Sequence, residues 1–162
     1  MKLTPMTEAD LEMVRMWRNS PHVVEQMFFQ NHITKEQQEA WFSTRPKDDK
    51  YWIITVDKPI GMCNLKNVIM GHQAEIGIFI GEKEYLNSNI AFKAMLEVHD
   101  YAFMFMGLGL KYTIARARPG NKRAIRFNKA FGYEMIKGIS PEVFMTLSAE
   151  NYFKKRKLFS NI

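Results

Sequence analysis

The sequence contains a single cysteine, Cys63, among its 162 residues. One thiol cannot form an intramolecular disulfide, and it cannot build a cysteine-based metal cluster. The histidines offer no alternative, because no metal-ligand spacing joins His22 and His32. We therefore expect a protein without a metal cofactor.

The chain also lacks a long apolar run. No stretch approaches the roughly 18 residues that are needed to span a bilayer. The first residues, MKLTPMTEADLE, lack the apolar centre of a signal peptide. These features predict a cytoplasmic protein that does not enter the membrane.

Acidic residues are fewer than basic ones, 17 against 23, which gives a formal net charge of +6. This charge suits a polyanionic ligand, and it equally suits nonspecific attraction to nucleic acid or anionic lipid. Much of the excess lies in the run KKRK at positions 154–157. No aromatic and basic surface motif supports specific binding of nucleic acid.

Nothing in the sequence divides the chain into parts. There is no internal repeat, low-complexity tract or linker, and apolar residues make up 46% of the composition. We therefore expect one globular domain over residues 1–162, with a basic helix and tail at 149–159.

The stretch from Ala74 to Phe103 predicts a strand, a polar turn and a long helix. Apolar residues alternate from Ala74 to Ile80, and the helix is expected from Ile90 to Met106. Either Ser88 or Asn89 can cap that helix. A helix N-terminus that follows a strand in this way can bind an anion, although a plain connection is the alternative.

The flanking sequence predicts further elements from apolar periodicity, capping residues and turn residues. Before the central stretch they are a strand at Lys2–Met6, a helix capped by Thr7 and ending near Asn19, a helix capped by Thr34 and ending near Arg45, and strands at Tyr51–Val56 and Ile60–Ile69. After it they are a strand at Lys111–Arg118, a helix from Asn121 to Phe131 closed by Gly132, a hairpin of Tyr133–Ile139 and Glu142–Leu147, and a basic helix capped by Ser148 and ending near Leu158.

The segment WRNSPHVVEQMFFQNH, residues 17–32, concentrates polar groups in a predicted loop. Arg18, Asn19, His22 and Gln26 fall there, and polar groups in a loop beside a core are candidates for substrate contacts. A capped and solvated connection is the alternative.

Three stretches together resemble the GCN5-related N-acetyltransferase (GNAT) superfamily. They are RARPGNKRAIRFNKAFGYE at 116–134, AEIGIFIGEKEYLNSNIAFKAM at 74–95, and VRMWRNSPHVVEQM at 14–27. One branch of the superfamily contains ribosomal-protein alanine acetyltransferases and acetyltransferases of 4-amino sugar nucleotides. It is similar to this chain in the stretch at 14–27 and in ITKEQQEAWF at 33–42. The nearest match is the pseudaminic-acid pathway enzyme. The resemblance implies an α/β fold with a mixed, mostly antiparallel sheet of about seven strands, splayed at the acetyl-CoA site, with helices on both faces.

The resemblance also implies a site for acetyl-CoA between the central strand and the next parallel one. Backbone N–H groups around Ile80 would hold the thioester carbonyl, and the turn after the strand would hold the pyrophosphate. Asn121 would bond the pantetheine arm. The residues implied in cofactor binding are Ile78, Phe79, Ile80, Leu86, Asn87, Ser88, Asn89, Ile90, Ala91, Asn121, Arg123 and Asn128.

In the implied reaction the amine attacks acetyl-CoA directly, so a base must take its proton. Glu75 is the candidate, on the central strand; the alternative is a carboxylate paired with a lysine or arginine. Cys63 could be considered as a nucleophile, but a small core side chain explains its place in IGMCNL better.

The sequence departs from the family pattern at three places. Asn87 and Asn89 stand at the glycine positions of the pyrophosphate turn, where asparagine best tolerates left-handed backbone. Asn128 replaces the tyrosine that often protonates the CoA thiolate; an amide can only hydrogen-bond the sulfur. Gln38 stands where this branch often has histidine.

The acceptor is expected to be a small-molecule amine, and we favour the 4-amino group of a UDP-linked sugar. Protein N-termini are a second possibility, a degenerate GNAT domain that only binds a ligand is a third, and nucleic-acid binding is a fourth and weaker one. The last hairpin and tail could pair with a second copy of the chain. The residues expected to contact the acceptor are Arg18, Asn19, His22, Met27, Gln38, Trp41 and Lys66.

Overall fold

A computed structural model of the chain describes residues 1–104, 107–136 and 141–159. The strands are β1 Lys2–Pro5, β2 Lys50–Thr55, β3 Pro59–Ile69, β4 Gln73–Ile80, β5 Tyr112–Ala117, β6 Glu134–Ile136 and β7 Val143–Ser148. The α-helices are α1 Leu11–Asn19, α2 Pro21–Val24, α3 Lys35–Thr44, α4 Ile90–Phe103, α5 Lys122–Phe131 and α6 Ala149–Arg156. Short 3₁₀ turns cover Glu8–Asp10, Lys83–Tyr85 and Lys157–Phe159.

The strands form one sheet in the order β1-β2-β3-β4-β5-β7-β6. β4 and β5 pair in parallel from Gln73 to Ile76, whereas β1 pairs antiparallel with β2, and β7 pairs antiparallel with both β5 and β6. The predicted α/β fold, with a mixed and mostly antiparallel sheet of seven strands among helices, is confirmed.

The chain divides into two compact units. The first unit contains residues 1–64 and 78–95, and the second contains residues 65–77 and 96–162. The prediction of one domain over the whole chain stays a prediction.

The core of the first unit lies around α1. Its Trp17 is buried together with Val14 and packs edge-on against Phe79, with ring centroids 6.3 Å apart. The buried cluster is completed by Met6, Ile53 and Met62, with Leu11, Met13, Trp41, Phe42 and Tyr51 against it. The apolar side of this helix therefore faces the core.

The core of the second unit is a stack of aromatic rings around His99. The imidazole stacks on Phe131 and Tyr152, with centroids 4.6 and 5.4 Å away. Its Nε2 lies 2.7 Å from the hydroxyl of Tyr133, which lies 2.7 Å from Thr113 Oγ1. These buried polar atoms satisfy one another, which a core of this kind requires.

The predicted capping residues fix the helix ends. Thr34 Oγ1 accepts a hydrogen bond from Gln37 N at 3.3 Å, and Gln37 Oε1 accepts one from Thr34 N at 2.9 Å. Asn121 and Ser148 cap α5 and α6 through side-chain oxygens, at 3.0 and 3.1 Å. Gly132 closes α5 with φ of 118°, a backbone that favours glycine.

Several predicted boundaries differ from the structure, most of them by one or two residues. The segment 17–32, predicted as a loop, contains the short helix α2, because Pro21 occupies its first position and suits a helix start. α4 ends at Phe103, earlier than predicted, and Met106 lies outside the described residues. β6 and β7 form the predicted hairpin, but residues 137–139 of the predicted strand also lie outside them.

Candidate functional site

The turn between β4 and α4 belongs to the first unit and carries the predicted pyrophosphate site. Leu86 N donates to Lys83 O at 3.2 Å, and Ser88 N donates to Tyr85 O at 3.2 Å. Ile90 N donates to Ser88 Oγ at 3.4 Å, and the Asn89 carbonyl accepts the first intrahelical hydrogen bond, from Lys93 N at 3.0 Å. The first three of these N–H groups are therefore hydrogen-bonded within the turn. The other N–H groups in the first turn of α4 have no acceptor inside the helix, because the helical hydrogen-bond pattern begins after them.

Asn87 and Asn89 are exposed, and neither has a left-handed backbone. Among the non-glycine residues that the structure describes, a positive φ occurs at Asn67, with a value of 53°. The asparagines at the family's glycine positions are therefore accommodated by an ordinary backbone, and the expected use of their left-handed tolerance is wrong.

Polar contacts fix the start of this turn. Trp17 Nε1 donates to Glu82 Oε1 at 2.8 Å, and Lys58 Nζ lies 2.9 Å from both Glu82 and Glu84. Hydrogen bonds from Lys58 and then Trp17 lower the pKa of the Glu82 carboxyl below its ordinary value of 4.5. Tyr85 donates a hydrogen bond to Asp57. The connection from β4 to α4 is thus tied to α1 and to the turn after β2.

Two predicted acceptor contacts carry buried nitrogen atoms without a partner. Arg18 Nε and both ring nitrogens of His22 have no hydrogen-bond partner in the part of the chain that the structure describes. Burial lowers the pKa of the Arg18 guanidinium. A desolvated cation without a carboxylate is costly unless a ligand compensates it.

Asn19, in contrast, is bound to the main chain. Its Nδ2 donates to Ile33 O at 2.9 Å, and its Oδ1 accepts from Ile33 N at 2.8 Å. This pair of hydrogen bonds closes the segment between α1 and α3, so the amide has a structural task whatever else it contacts.

The remaining predicted acceptor contacts of the first unit lie in or near its core. Gln38 is buried at 5% exposure, and Met27 is half-buried. Trp41 packs edge-on against Tyr51, with centroids 5.0 Å apart. The packing of Trp41 alone explains its presence.

The second unit contains the candidate base, Glu75, on β4. Its carboxylate is buried at 8% exposure and pairs with Lys66 Nζ at 3.0 Å and Arg116 Nη1 at 3.5 Å, and it accepts from Asn67 Nδ2 at 3.2 Å. Arg116 also pairs with Glu142, which is the main cause of the raised pKa of that guanidinium. Glu75 therefore has the ion-paired surroundings of the alternative interpretation, and Lys66, predicted as an acceptor contact, is its partner.

The helix α5 carries the remaining predicted cofactor contacts. Asn121 caps the helix, and Asn128 is buried at 8% exposure two turns later on the same face. The Asn128 carbonyl accepts from Gly132 N and Tyr133 N, both at 3.0 Å, while Arg123 is exposed. α5 thus presents two amides on one face.

Sequence reasoning did not single out Asn64 on β3. Its Oδ1 is buried and has no partner among the described residues. The available signal was one amide side chain within the apolar run GMCNL. The neighbouring Cys63 is fully buried, as a core side chain should be.

The described residues hold no group of three or more histidine, cysteine, aspartate or glutamate side chains that could bind a metal ion. No helix among them combines the length and the apolarity that crossing a bilayer requires.

A sequence profile of the acetyltransferase (GNAT) domain matches residues 1–134, which is most of the chain. The chain therefore belongs to the GNAT acetyltransferase family. The predicted family and the predicted class of enzyme are confirmed, whereas the amino-sugar branch stays a prediction. A comparison with curated protein sequences found no significant match.

Solved structures with the same fold include a domain from Methanocaldococcus jannaschii, with 23% identity, a TM-score of 0.80, and 91% of this chain and 97% of that chain covered. Spermidine N-acetyltransferase from Vibrio cholerae, in complex with CoA and spermine, aligns with 16% identity, a TM-score of 0.81, and 94% and 97% covered. The aminoglycoside acetyltransferase AAC(6')-Ib, in complex with paromomycin and acetyl-CoA, aligns with 19% identity, a TM-score of 0.82, and 96% and 97% covered. At these identities the likeness concerns the fold.

Proposed function

We propose that this protein transfers the acetyl group of acetyl-CoA directly to the primary amine of an anionic acceptor. The acceptor we favour is the 4-amino group of a UDP-linked amino-dideoxy sugar. Membership of the GNAT family supports the acetyl transfer, and the buried, unpartnered Nε of Arg18 supports the anionic acceptor.

The first unit supplies the proposed grip on the thioester and pyrophosphate. Backbone groups of β4 at Ile78–Ile80 would hold the thioester carbonyl, as an oxyanion hole does. The start of α4, with Asn87, Asn89 and Ala91, would face the pyrophosphate, because a helix N-terminus attracts anions. The CoA and acetyl-CoA complexes of the aligned structures support the choice of cosubstrate.

The second unit supplies the proposed contacts to the arm and the sulfur. Asn121 would bond the pantetheine, and Arg123 would lie near its phosphates. Asn128 would donate its amide N–H to the departing sulfur. Thiolate is a good leaving group, since free thiols have a pKa of about 8.5, so no acid is required at that position.

In the proposed reaction a C–N bond forms as the C–S bond breaks. The amine nitrogen gives up one proton to Glu75, directly or through water, and CoA leaves as the thiolate. Lys66 and Arg116 hold the Glu75 carboxylate in place. No acyl-enzyme is formed, and Cys63 takes no part.

The surroundings of Arg18 are the main support for an anionic acceptor. Its buried Nε lacks a partner among the described residues, and a phosphate would supply one through a charge-assisted hydrogen bond. A polycationic acceptor would instead place like charge beside the guanidinium. The formal net charge of +6 acts in the same direction.

The test is thiol release from acetyl-CoA in the presence of four amines: a UDP-linked 4-amino-4,6-dideoxyhexose, spermidine, kanamycin, and a basic peptide with a free N-terminus. We expect kcat/KM for the nucleotide sugar to exceed the others by at least about tenfold, the worth of one charged hydrogen bond. If thiol is released only with the cationic amines, the proposal of an anionic acceptor is wrong. If no amine gives thiol release, the proposed acetyltransferase activity is contradicted.

A further inference from the structure

β3 carries a buried oxygen that the described part of the chain does not satisfy. The Oδ1 atom of Asn64 is inaccessible to solvent and has no hydrogen-bond partner there. A buried carbonyl oxygen without a donor destabilises a protein, so native structures rarely contain one without a reason. A ligand that donates a hydrogen bond to Asn64 would supply that reason.

The place of Asn64 on β3 relates it to the proposed thioester site. Side chains alternate along a strand, so Asn64 lies on the same face as Met62, roughly 7 Å further along. Met62 belongs to the buried cluster that contains Trp17 and is packed against by Phe79. Phe79 lies in the part of β4 to which we assign the thioester carbonyl.

Gly61 shows how close the two strands come at this level. A Cβ atom at Gly61 would lie 2.4 Å from the carbonyl oxygen of Phe79 and 3.0 Å from Cα of Ile80. The backbone of β3 therefore lies directly against this part of β4, and Asn64 follows three residues after Gly61 on the same strand. Asn64 therefore lies on the strand next to the part of β4 that is assigned to the thioester carbonyl.

We propose that Asn64 Oδ1 accepts a hydrogen bond from the acceptor amine as the amine attacks acetyl-CoA. The inference rests on the proposed function and adds a residue that touches the reacting nitrogen. The attacking nitrogen directs its lone pair at the thioester carbon and needs acceptors for its N–H groups. A carboxamide oxygen orients one N–H without taking its proton, which leaves the other for the base.

Asn64→Leu is the informative variant, because activity and stability should change in opposite directions. Removing an unsatisfied buried oxygen should leave the melting temperature unchanged or raise it by about 2–4 °C. Loss of the hydrogen bond should lower kcat/KM about tenfold, with the Kd of acetyl-CoA unchanged. Asn64→Asp keeps an acceptor oxygen, so its kcat/KM should lie between those of the wild type and Asn64→Leu.

The assay uses the amine that gives the highest kcat/KM among the four amines named above. Cys63→Ala changes a side chain on the opposite face of β3 and is the control for a general disturbance of the strand. Full activity of Asn64→Leu would overturn the inference and leave the proposed function standing. Lost activity together with a lowered melting temperature would show a structural role and would also overturn it. A wild type inactive with every amine would instead remove the proposed function, and this inference with it.

Discussion

Gly81 and Trp17 show how closely the end of β4 packs at the level of single residues. A Cβ atom at Gly81 would lie 2.2 Å from Cγ of the Trp17 ring, far inside van der Waals contact. The same ring is also held by its hydrogen bond to Glu82. The ring therefore has little freedom to move away, and the start of the predicted pyrophosphate turn depends on a glycine.

We predict that Gly81→Ala lowers the free energy of unfolding by about 1–3 kcal/mol, the usual cost of overpacking a core. Urea denaturation measures this change. Gly120→Ala is the matched control, because a Cβ atom there would meet nothing within 4 Å, and it should change stability by less than about 1 kcal/mol. Equal stabilities for the two variants would show that Trp17 can shift.

Arg18 is the residue on which the acceptor class depends. Arg18→Met keeps much of the side-chain length and removes the charge, so we predict a KM for the nucleotide sugar that is about ten- to a hundredfold higher, as expected for a charged hydrogen bond. The KM for acetyl-CoA should not change. Lys35→Met, which removes an exposed charge from α3, is the control and should leave both constants unchanged. A normal KM for the sugar in Arg18→Met would remove the main support for an anionic acceptor.

The sequence could identify several residues, but it could not supply their partners. Cys63 was correctly placed in the core from its apolar neighbours. The pattern of β4 points to Glu75 as a candidate base, but the pairing of its carboxylate with Lys66 and Arg116 depends on strand register. β4 and β5 are parallel strands separated by α4, so no hairpin turn fixes their register.

At the scale of elements, local signals located most helices and strands. The capping boxes, the Asn121 and Ser148 caps, and Gly132 lie at helix ends because their hydrogen bonds are made within a few residues. The missed helix α2 contains only four residues. So short a helix leaves no apolar periodicity to detect, and only Pro21 signalled it.

β4 links the fold to the proposed chemistry because it carries the candidate base, Glu75. A substitution of Glu75 tests that link. We predict that Glu75→Gln lowers kcat at least about a hundredfold across pH 6–9, the usual contribution of a general base. Steady-state kinetics at saturating acetyl-CoA measures this change.

Glu142→Gln separates the chemistry from the packing around Arg116. It removes the other carboxylate of Arg116 and should leave most of kcat. If Glu75→Gln retains kcat, the carboxylate serves only its ion pairs, as it also would in a domain that does not catalyse. If Glu142→Gln loses as much kcat as Glu75→Gln, the whole ion-pair network is needed rather than one base.

At the scale of the whole molecule, the excess of positive charge predicts that kcat/KM depends on the salt concentration. A protein with a net charge of +6 attracts an anionic acceptor over distances that salt screens. At saturating acetyl-CoA we predict that kcat/KM for the nucleotide sugar falls severalfold between low and about 0.5 M ionic strength. The value for kanamycin should stay level or rise. A nucleotide-sugar reaction insensitive to salt would contradict the role given to the charge.

The fold class was predictable from sequence, whereas the division into units was not. The resemblance of three stretches to the GNAT superfamily implied the mixed sheet. The boundary between the two compact units passes within β3, β4 and α4. No change of composition marks a boundary inside continuous elements, so sequence reasoning had no signal for it.

The central claim is that the turn LNSN, at residues 86–89, still binds the pyrophosphate of acetyl-CoA, and calorimetry tests it most directly. Acetyl-CoA, CoA, and CoA without its 3′-phosphate should be titrated into the same preparation. We predict micromolar dissociation constants for all three, because the pyrophosphate is common to them. The absence of binding at millimolar CoA would contradict the account, and the protein would then be a GNAT domain that has lost its cosubstrate.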